Sequence, residues 1–155
     1  MNKNSLTYPG ALLFLFLIAF LIFTEQKKET PSEFKNVSVE EARGMIEKGD
    51  VFVLDVRTPA EFNSSHIEGA NPIPVSNAFG SNLNPDRLLK ARINEVPKTK
   101  KVLVYCRTGR RSDAASTILA NAGYSQVYNM AGGITSWIDA GYPVVNSQDQ
   151  ENKSP

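Results

Sequence analysis

The sequence contains only one cysteine, Cys106, and one histidine, His66, in 155 residues. A single cysteine excludes an intramolecular disulfide, so the thiol has no internal partner and the cysteine count does not identify a cellular compartment. The sequence also has no large excess of charge of either sign, since it contains 17 basic and 16 acidic residues and its net charge is +1. This balance argues against a nucleic-acid partner. The sequence shows no metal or nucleotide site, so we expect no cofactor.

One long hydrophobic run is present, and it lies near the N-terminus. Residues 6–23 carry no charge, and residues 11–23 are all apolar. This length is close to the lower limit of about 17 residues for spanning a bilayer. Residues 20–24 lack the small residues of a signal cleavage site, so we expect an uncleaved membrane anchor, with a cleaved and secreted form as the alternative. Lysines flank the run on both sides, so charge does not set its orientation. We predict an extracytoplasmic domain, on the periplasmic side in a bacterium.

The rest of the chain is organised around residues 102–112. Residues 102–105 form a short run of β-branched, apolar and aromatic side chains, which predicts a strand buried on both faces of a parallel sheet. Residues 112–122 keep small and apolar side chains at helical spacing, and Gly123 ends this predicted helix. Cys106 therefore lies where a parallel strand ends and a helix begins, the position at which open α/β sheets place their ligand crevice.

The residues after Cys106 include three arginines, Arg107, Arg110 and Arg111. Backbone N–H groups of a tight loop that enters a helix favour negative charge, and the arginines act in the same direction. Both effects stabilise the nucleophilic thiolate of Cys106 and an anion bound to it. The alternative is a small hydrophobic cysteine at a strand end. Such a residue has no need of a cationic loop that Gly109 allows to turn inward.

Two further segments carry motifs. One is LDVRTPAEF at residues 54–62, followed by HIEGA at 66–70, and the other is MAGGITSW at 130–137. Together with the loop CRTGRRS at 106–112, they resemble the signatures of the rhodanese (thiosulfate sulfurtransferase) family. The resemblance covers roughly residues 34–144. It implies a rhodanese-like α/β fold and an active-site cysteine that carries a persulfide without a histidine base.

The length of the cysteine loop separates two kinds of thiol enzyme. In the related cysteine-based phosphatases and arsenate reductases, five residues separate the cysteine from the anion-binding arginine, and the larger loop holds a tetrahedral oxyanion. Four residues separate Cys106 from Arg111 here, and Ser112 follows. The shorter loop resembles that of sulfurtransferases, where it fits a persulfide sulfur. A phosphatase or an arsenate-reductase-like enzyme is therefore the weaker alternative.

Four side chains of the N-terminal motif are candidates for supporting roles. Residues 51–54 form a predicted buried strand that delivers Asp55 and Arg57 to the sheet edge where Cys106 lies. These two residues and Glu61 could act as an acid, a base or a substrate clamp. Buried charges need partners, however, so we predict an ion-pair network that braces the loops, and the resemblance also gives these positions a structural role. We expect His66 to hold a loop by hydrogen bonds rather than to act as a general base.

Helix signals appear at several points of the chain. Ser38 and Glu41 form a capping box ahead of a helix that ends near residue 49. Apolar residues at helical spacing predict an amphipathic helix over residues 86–96. The last predicted helix places three apolar side chains on one face, which we expect to lie in the core: Ile134, Trp137 and Ile138.

The alternation of strands and helices predicts the domain organisation. Residues 34–145 are expected to form a three-layer α/β/α domain with a mostly parallel five-stranded sheet, interrupted by a polar loop at 76–85. Residues 1–33 are assigned to the anchor and a polar tether, and residues 146–155 to a disordered polar tail.

We expect sulfur transfer in two half-reactions. The Cys106 thiolate attacks the outer sulfur of an anionic donor such as thiosulfate, sulfite leaves, and a persulfide remains. A nucleophilic acceptor, cyanide or a thiol, then removes the sulfur. The cationic residues expected to attract the donor are Arg107, Arg110 and Arg111. The groups expected to bind the persulfide are the backbone N–H groups of residues 107–112, including Gly109, and the hydroxyls of Thr108 and Ser112.

Two alternatives belong to other functional classes. A membrane-tethered sulfur relay or binding module would pass its persulfide to an acceptor protein with little turnover of its own, and acceptor kinetics would distinguish it. A purely structural interaction domain is disfavoured, because rhodanese-like modules of that kind typically replace the cysteine. Cys106 is present here.

Overall fold

A computed structural model describes residues 33–75 and 86–147 of the chain. The predicted anchor at residues 6–23, the polar loop at 76–85 and tail residues 148–155 lie outside these ranges. Within the described ranges, no helix combines the length and the apolar character needed to cross a bilayer.

In the part of the chain that the structure describes, a five-stranded parallel sheet forms the centre of the fold. Its strands are β1 (Lys35–Val37), β2 (Val51–Asp55), β3 (Asn71–Pro72), β4 (Lys101–Tyr105) and β5 (Val127–Met130). Their spatial order is β1-β5-β4-β2-β3, so β4 is the central strand. The predicted α/β fold with a five-stranded sheet is confirmed. All strand pairs are parallel, so the carboxyl ends of the strands meet at one edge, where ligand sites form in such sheets.

Helices cover both faces of the sheet. They are α1 (Val39–Glu47), α2 (Pro59–Ser64), α3 (Asp86–Arg92), α4 (Arg110–Asn121) and α5 (Gly133–Asp139). Buried side chains of α4 pack on one face of the sheet, with those of β2 and β4 that point the same way. Buried side chains of α1 and α5 pack on the other face. The result is the predicted arrangement of three layers.

The ends of the helices follow local sequence signals. The Ser38 hydroxyl oxygen accepts a hydrogen bond from the Glu41 N–H at 3.2 Å, and the Ser38 N–H donates to the Glu41 carboxylate at 2.8 Å. This confirms the predicted capping box. Helix α4 begins two residues before the predicted start at Ser112, because Gly109 adopts a φ of 96° and turns the chain into the helix at that point. The predicted helix over residues 86–96 instead ends at residue 92 and continues as a 3-10 turn, Ile93–Glu95.

The core confirms most of the predicted burial and corrects one position. Residues 102–105 of β4 are fully buried, as expected for a central strand covered on both faces. Ile134 and Trp137 are buried, but Ile138 is 46% exposed, so its assignment to the core was wrong. Successive helical residues are about 100° apart around the axis. The buried stripe of α5 is centred on residues 133, 134 and 137, which leaves Ile138 at its margin.

Candidate active site

Cys106 directly follows the last residue of β4, the central strand. The register pairs Tyr105 of β4 with Asp55 of β2, so the ends of the two strands lie side by side. Only 1% of the Cys106 surface is exposed. The structure therefore places the cysteine at the carboxyl edge of the sheet, beside the residues of the N-terminal motif.

The Cys106 sulfur receives hydrogen bonds from its own loop and from the first turn of α4. The backbone N–H of Gly109 donates to Sγ at an N···S distance of 3.2 Å. The Ser112 hydroxyl lies 3.5 Å from Sγ and 3.0 Å from the carbonyl oxygen of Gly109, so the two acceptors share its single proton. Thr108 is exposed, and among the described residues its hydroxyl makes no hydrogen bond to the sulfur. Gly109 and Ser112 are thus the predicted donors that reach it.

The first turn of α5 fixes the other side of the cysteine loop. The N–H of Ile134 donates to the carbonyl oxygen of Cys106 at 2.9 Å, and the N–H of Thr135 donates to that of Arg107 at 3.1 Å. A Cβ at Gly133 would lie 2.4 Å from the Cys106 carbonyl oxygen, so this approach requires glycine. The sequence motif contains the glycine pair at residues 132 and 133, but the bonds to the cysteine loop were not predicted from it. They depend on β5 lying next to β4, which brings α5 beside the loop.

The three predicted cationic residues have different environments. Arg111 donates to both carboxylate oxygens of Glu61, at 2.6 and 2.8 Å. These bonds are the main reason that the pKa of Arg111 lies above its ordinary value; burial opposes the shift, and the nearby Cys106 sulfur adds to it. Arg107 and Arg110 are exposed to solvent. Arg111 is therefore held beside the sulfur as half of an ion pair, while the other two arginines face solvent.

Glu61 is itself held by the start of α2. Its carboxylate accepts hydrogen bonds from the Thr58 N–H at 3.0 Å and the Thr58 hydroxyl at 2.9 Å, and the Glu61 N–H donates back to that hydroxyl. Burial alone would raise the pKa of Glu61, but the hydrogen bonds from Arg111 and Thr58 outweigh it and lower the pKa to about 2. The carboxylate is thus ionised at neutral pH and oriented toward the cysteine loop.

Asp55 and Arg57 form a separate, buried pair. The Arg57 guanidinium donates to the Asp55 carboxylate at distances of 2.6 to 3.0 Å and to the carbonyl oxygen of Ser65 at 2.6 Å. Burial disfavours the charge on Arg57, but the Asp55 carboxylate outweighs this and keeps its pKa above the ordinary value. Burial and the Asp55 charge also raise the pKa of Tyr105, whose hydroxyl oxygen accepts a hydrogen bond from the Ile67 N–H at 3.2 Å. The predicted network is thus divided between two pairs, one of which connects to the cysteine loop.

His66 lies in the loop after α2. Its Nδ1 is 2.9 Å from the carbonyl oxygen of Phe62, and the two rings stack with centroids 3.8 Å apart. Its backbone pairs with Val145 through two hydrogen bonds of 2.7 and 2.8 Å. No hydrogen bond joins His66 to Cys106 in the described part of the chain, so His66 has the geometry of a residue that holds the loop. Within residues 33–75 and 86–147, no three His, Cys, Asp or Glu residues come together in a way that could hold a metal.

Comparison with known proteins adds independent information. The family model described as "Rhodanese-like domain" matches residues 38–140, which is more than half of the chain. The Arabidopsis thaliana protein named HIGH ARSENIC CONTENT 1, mitochondrial, is 37% identical over 123 residues, covering 78% of this chain and 72% of the relative. An Allochromatium vinosum protein named Sulfurtransferase is 38% identical over 96 residues, covering 62% of this chain and 79% of the relative. The crystal structure of a rhodanese-related protein from Thermoplasma volcanium aligns with a TM-score of 0.60 at 32% identity, covering 72% of this chain and 97% of that chain.

Proposed function

The chain belongs to the rhodanese-like domain family, and we propose that it is a sulfurtransferase that carries a sulfane sulfur as a persulfide on Cys106. One observation carries this proposal, the 3.2 Å hydrogen bond from the Gly109 N–H to the Cys106 sulfur. A fixed backbone donor at that position stabilises negative charge on sulfur without further reorganisation. The relative named Sulfurtransferase supports the same class of reaction.

The first half-reaction loads the cysteine. The Cys106 thiolate attacks the outer sulfur of thiosulfate and forms a new S–S bond. The S–S bond of thiosulfate breaks, and its electron pair leaves with sulfite. Arg107 and Arg110 are exposed and attract the dianionic donor from solution. Gly109 and Ser112 stabilise the thiolate before the attack and the persulfide after it.

The second half-reaction unloads the cysteine. A nucleophilic acceptor, cyanide in an assay or a thiol, attacks the outer sulfur of the persulfide. The bond between that sulfur and Cys106 Sγ breaks, and Sγ keeps the electron pair as a thiolate. The Gly109 N–H again stabilises the negative charge on Sγ. A thiol acceptor loses its proton to solvent before the attack, and no proton has to be placed on the leaving sulfur, so this step requires neither a histidine base nor a histidine acid.

Thiocyanate formation from thiosulfate and cyanide tests the proposal. The full chain, kept in detergent, is expected to produce thiocyanate with saturation in thiosulfate. Cys106→Ser keeps the size of the side chain but removes the nucleophilic sulfur, so its rate is expected to fall to background. Lys100→Gln, at an exposed position ahead of β4, serves as the control. A Cys106→Ser rate equal to that of the wild-type protein would rule out the persulfide route.

A second candidate is an arsenate-directed thiol enzyme. The observation that favours it is the name of the Arabidopsis thaliana relative, which refers to arsenic content. The loop counts against it, because only four residues separate Cys106 from Arg111, which leaves little room in the loop for a tetrahedral oxyanion. Arsenate consumption in the presence of a thiol reductant distinguishes the two functions. Cys106-dependent arsenate turnover that exceeds thiocyanate formation would favour this candidate.

We further propose that residues 6–23 tether the domain to a membrane, with the domain on the extracytoplasmic side. The support is the uncharged length of this stretch and the absence of a cleavage signal after it. In a bacterial host, the full chain is expected to remain in the membrane fraction after alkaline carbonate washing. Protease added to spheroplasts is expected to degrade the domain. Recovery of the protein in the carbonate wash would contradict the tether. Full protection of the domain from the protease would contradict the proposed orientation.

A further inference from the structure

A segment that follows α5 lies against the loop after α2. We call this segment, residues 142–147, the strap. The N–H of His66 donates to the carbonyl oxygen of Val145 at 2.7 Å, and the N–H of Val145 donates back to that of His66 at 2.8 Å. The Ser147 hydroxyl donates to the side-chain oxygen of Asn63 at 3.1 Å. The strap therefore holds both the last turn of α2 and the loop that follows it.

The other end of the strap is fixed to α5. The N–H of Tyr142 donates to the carbonyl oxygen of Trp137 at 3.1 Å, and the indole N–H of Trp137 donates to the carbonyl oxygen of Pro143 at 2.9 Å. The rings of Trp137 and Tyr142 also meet edge to face, with centroids 5.0 Å apart. The first turn of α5 in turn holds the carbonyl groups of Cys106 and Arg107. The strap thus extends the element that fixes one side of the cysteine loop.

The loop that the strap holds is connected through α2 to the other side of the cysteine loop. The His66 ring stacks on Phe62, and its Nδ1 lies 2.9 Å from the Phe62 carbonyl oxygen. A carbonyl oxygen only accepts, so Nδ1 carries the proton and caps the last turn of α2. The residue before Phe62 is Glu61, whose carboxylate holds Arg111 at 2.6 and 2.8 Å. Arg111 lies in the first turn of α4, which begins directly after Gly109.

These contacts form a closed ring around the cysteine loop. The ring runs from this loop through α5 and the strap to His66 and α2, and then through the Glu61–Arg111 pair and α4 back to the loop. The family model matches residues 38–140, so the strap lies outside the match. On the basis of the sulfurtransferase function proposed above, we propose that the strap and His66 position α2, and thereby the Glu61 carboxylate that holds Arg111. Their loss slows sulfur loading in a protein that is still folded.

Val145 contributes to the ring through its backbone. Its side chain is half-buried and, among the described residues, belongs to neither of the two groups of side chains that form the core. A substitution that removes only its N–H therefore breaks a contact of the strap and leaves the core packing in place. Val145→Pro is such a substitution, because proline has no N–H. Val145→Thr keeps the N–H with a branched side chain of similar shape, so it is the matched control.

The first test asks whether the strap holds Glu61, and it requires no sulfur chemistry. Urea unfolding of the full chain is measured with and without Glu61→Gln in the wild-type, Val145→Pro and Val145→Thr backgrounds. Glu61→Gln lowers the midpoint only as far as Glu61 is held against Arg111. The shift that it causes is expected to fall to about half or less in Val145→Pro and to stay unchanged in Val145→Thr. An equal shift in all three backgrounds would overturn the proposal.

His66→Phe interrupts the ring at a second place. It keeps an aromatic ring that can stack on Phe62, but it lacks the Nδ1 donor to the Phe62 carbonyl oxygen. The midpoint shift caused by Glu61→Gln is expected to shrink in this background as well. If Val145→Pro does not fold, this variant decides the question, and an undiminished shift in His66→Phe would then overturn the proposal.

The second test measures how sulfur loading responds. Each full-length variant is mixed with a series of thiosulfate concentrations, and intact mass gives the loaded fraction against time. Val145→Pro is expected to lower the limiting rate about fivefold, because Arg111 is less well held beside the sulfur. The half-saturating thiosulfate concentration is expected to change by about twofold at most, because the exposed Arg107 and Arg110 that attract the donor are unchanged.

A destabilised control separates positioning from stability. Gly123→Ala introduces a Cβ at a φ of +84° where, in the described part of the chain, it meets no atom within 4 Å. The variant strains the end of α4 that lies away from the ring, so it is expected to lower the unfolding midpoint and to load at the wild-type rate. Equal slowing in Gly123→Ala and Val145→Pro, or a normal limiting rate in Val145→Pro, would show that the strap serves stability alone.

The two tests also separate this proposal from the sulfurtransferase function. If the wild-type protein acquires no sulfur from thiosulfate, the proposed function fails, while the unfolding midpoints still decide whether the strap holds Glu61. If the wild-type protein loads normally and the strap variants behave like it in both tests, only the positioning role fails.

Discussion

Two ion pairs at the same edge of the sheet differ in burial and in what they connect. Asp55 and Arg57 are two residues apart, and their side chains are 0% and 4% exposed. Glu61 and Arg111 are 50 residues apart, and their side chains are 14% and 27% exposed. The first pair joins the end of β2 to the loop at Ser65. The second joins α2 to α4, the helix that follows Cys106.

The comparison indicates which pair serves the fold and which serves the site. When one partner of a buried ion pair is removed, the remaining charge stays buried and is not solvated by water. Loss of the Asp55–Arg57 pair is therefore expected to destabilise the folded state. The Glu61–Arg111 pair retains some access to water, and its loss is less costly to the fold. Its position next to Cys106 means that its loss changes the geometry around the sulfur. Variants of the two pairs should therefore separate stability from sulfur transfer.

Removal of Asp55 is expected to give the largest loss of stability. Asp55→Ala leaves the Arg57 guanidinium buried without its counter-charge, which we expect to cost about 3–5 kcal/mol in the free energy of unfolding. Urea denaturation measures this cost. Asp50→Asn breaks an exposed pair with Lys101 and serves as the control, with no change expected in the unfolding midpoint. Equal midpoints for Asp55→Ala and the wild-type protein would show that the buried pair does not support the fold.

Disruption of the backbone contact between α5 and the cysteine loop is expected to give the second-largest loss of stability. Gly133→Ala would place a Cβ 2.4 Å from the Cys106 carbonyl oxygen at a φ of +60°. We expect a loss of about 2–4 kcal/mol together with slower sulfur loading, because the loop must move. Gly141→Ala has a similar φ of +77° but meets no atom within 4 Å, so it is expected to cost about 1 kcal/mol and to load normally. Identical behaviour of the two variants in urea denaturation and loading assays would refute the role of the close approach.

Removal of the Glu61 carboxylate is expected to affect the site more than the fold. Glu61→Gln loses the charge-assisted bonds to Arg111, which we expect to lower stability by about 2 kcal/mol and to slow sulfur loading about tenfold. The double variant Glu61→Gln/Arg111→Gln should lose little more stability than either single variant, because both changes break the same interaction. Additive losses in the double-mutant cycle would show that the two side chains act separately.

The pH dependence of stability should report on the same pair with a smaller effect. The pKa of Glu61 is 4.5 in a model compound and about 2 in the folded protein. A lowered pKa stabilises the fold fully at a pH above the unfolded value, and this contribution is lost as the pH falls from 4.5 toward 2. Urea denaturation at several pH values should show a constant gap between the wild-type protein and Glu61→Gln at neutral pH. This difference in stability should disappear in the acid range. A difference that does not depend on pH would contradict the lowered pKa of Glu61.

Local patterns in the sequence predict much of the fold. The apolar run at residues 102–105 predicted the central strand, and Ser38 and Glu41 predicted a helix start, because both signals act over a few residues. A second capping box, Thr58 with Glu61, follows the same pattern and was readable from the sequence, but it was not identified there. The position of Ile138 was not predicted correctly, because the direction of the buried stripe depends on how α5 packs.

Less of the candidate site than of the fold could be predicted from the sequence. The position of Cys106 at a strand end followed from local pattern, and so did the tight turn at Gly109. The pairing of Arg111 with Glu61 joins residues 50 apart and depends on α2 and α4 meeting at one edge of the sheet. The bonds from α5 to the cysteine loop likewise depend on strand order. Neither contact leaves a periodic signal in the chain.

Intact mass of the full chain, recorded before thiosulfate, after thiosulfate and after cyanide, tests the persulfide on Cys106 most directly. We expect the mass to increase by one sulfur atom after thiosulfate, and cyanide to remove that atom as thiocyanate. Cys106→Ser should gain nothing under the same conditions. A folded wild-type protein with reduced Cys106 that acquires no sulfur would contradict the thiosulfate mechanism.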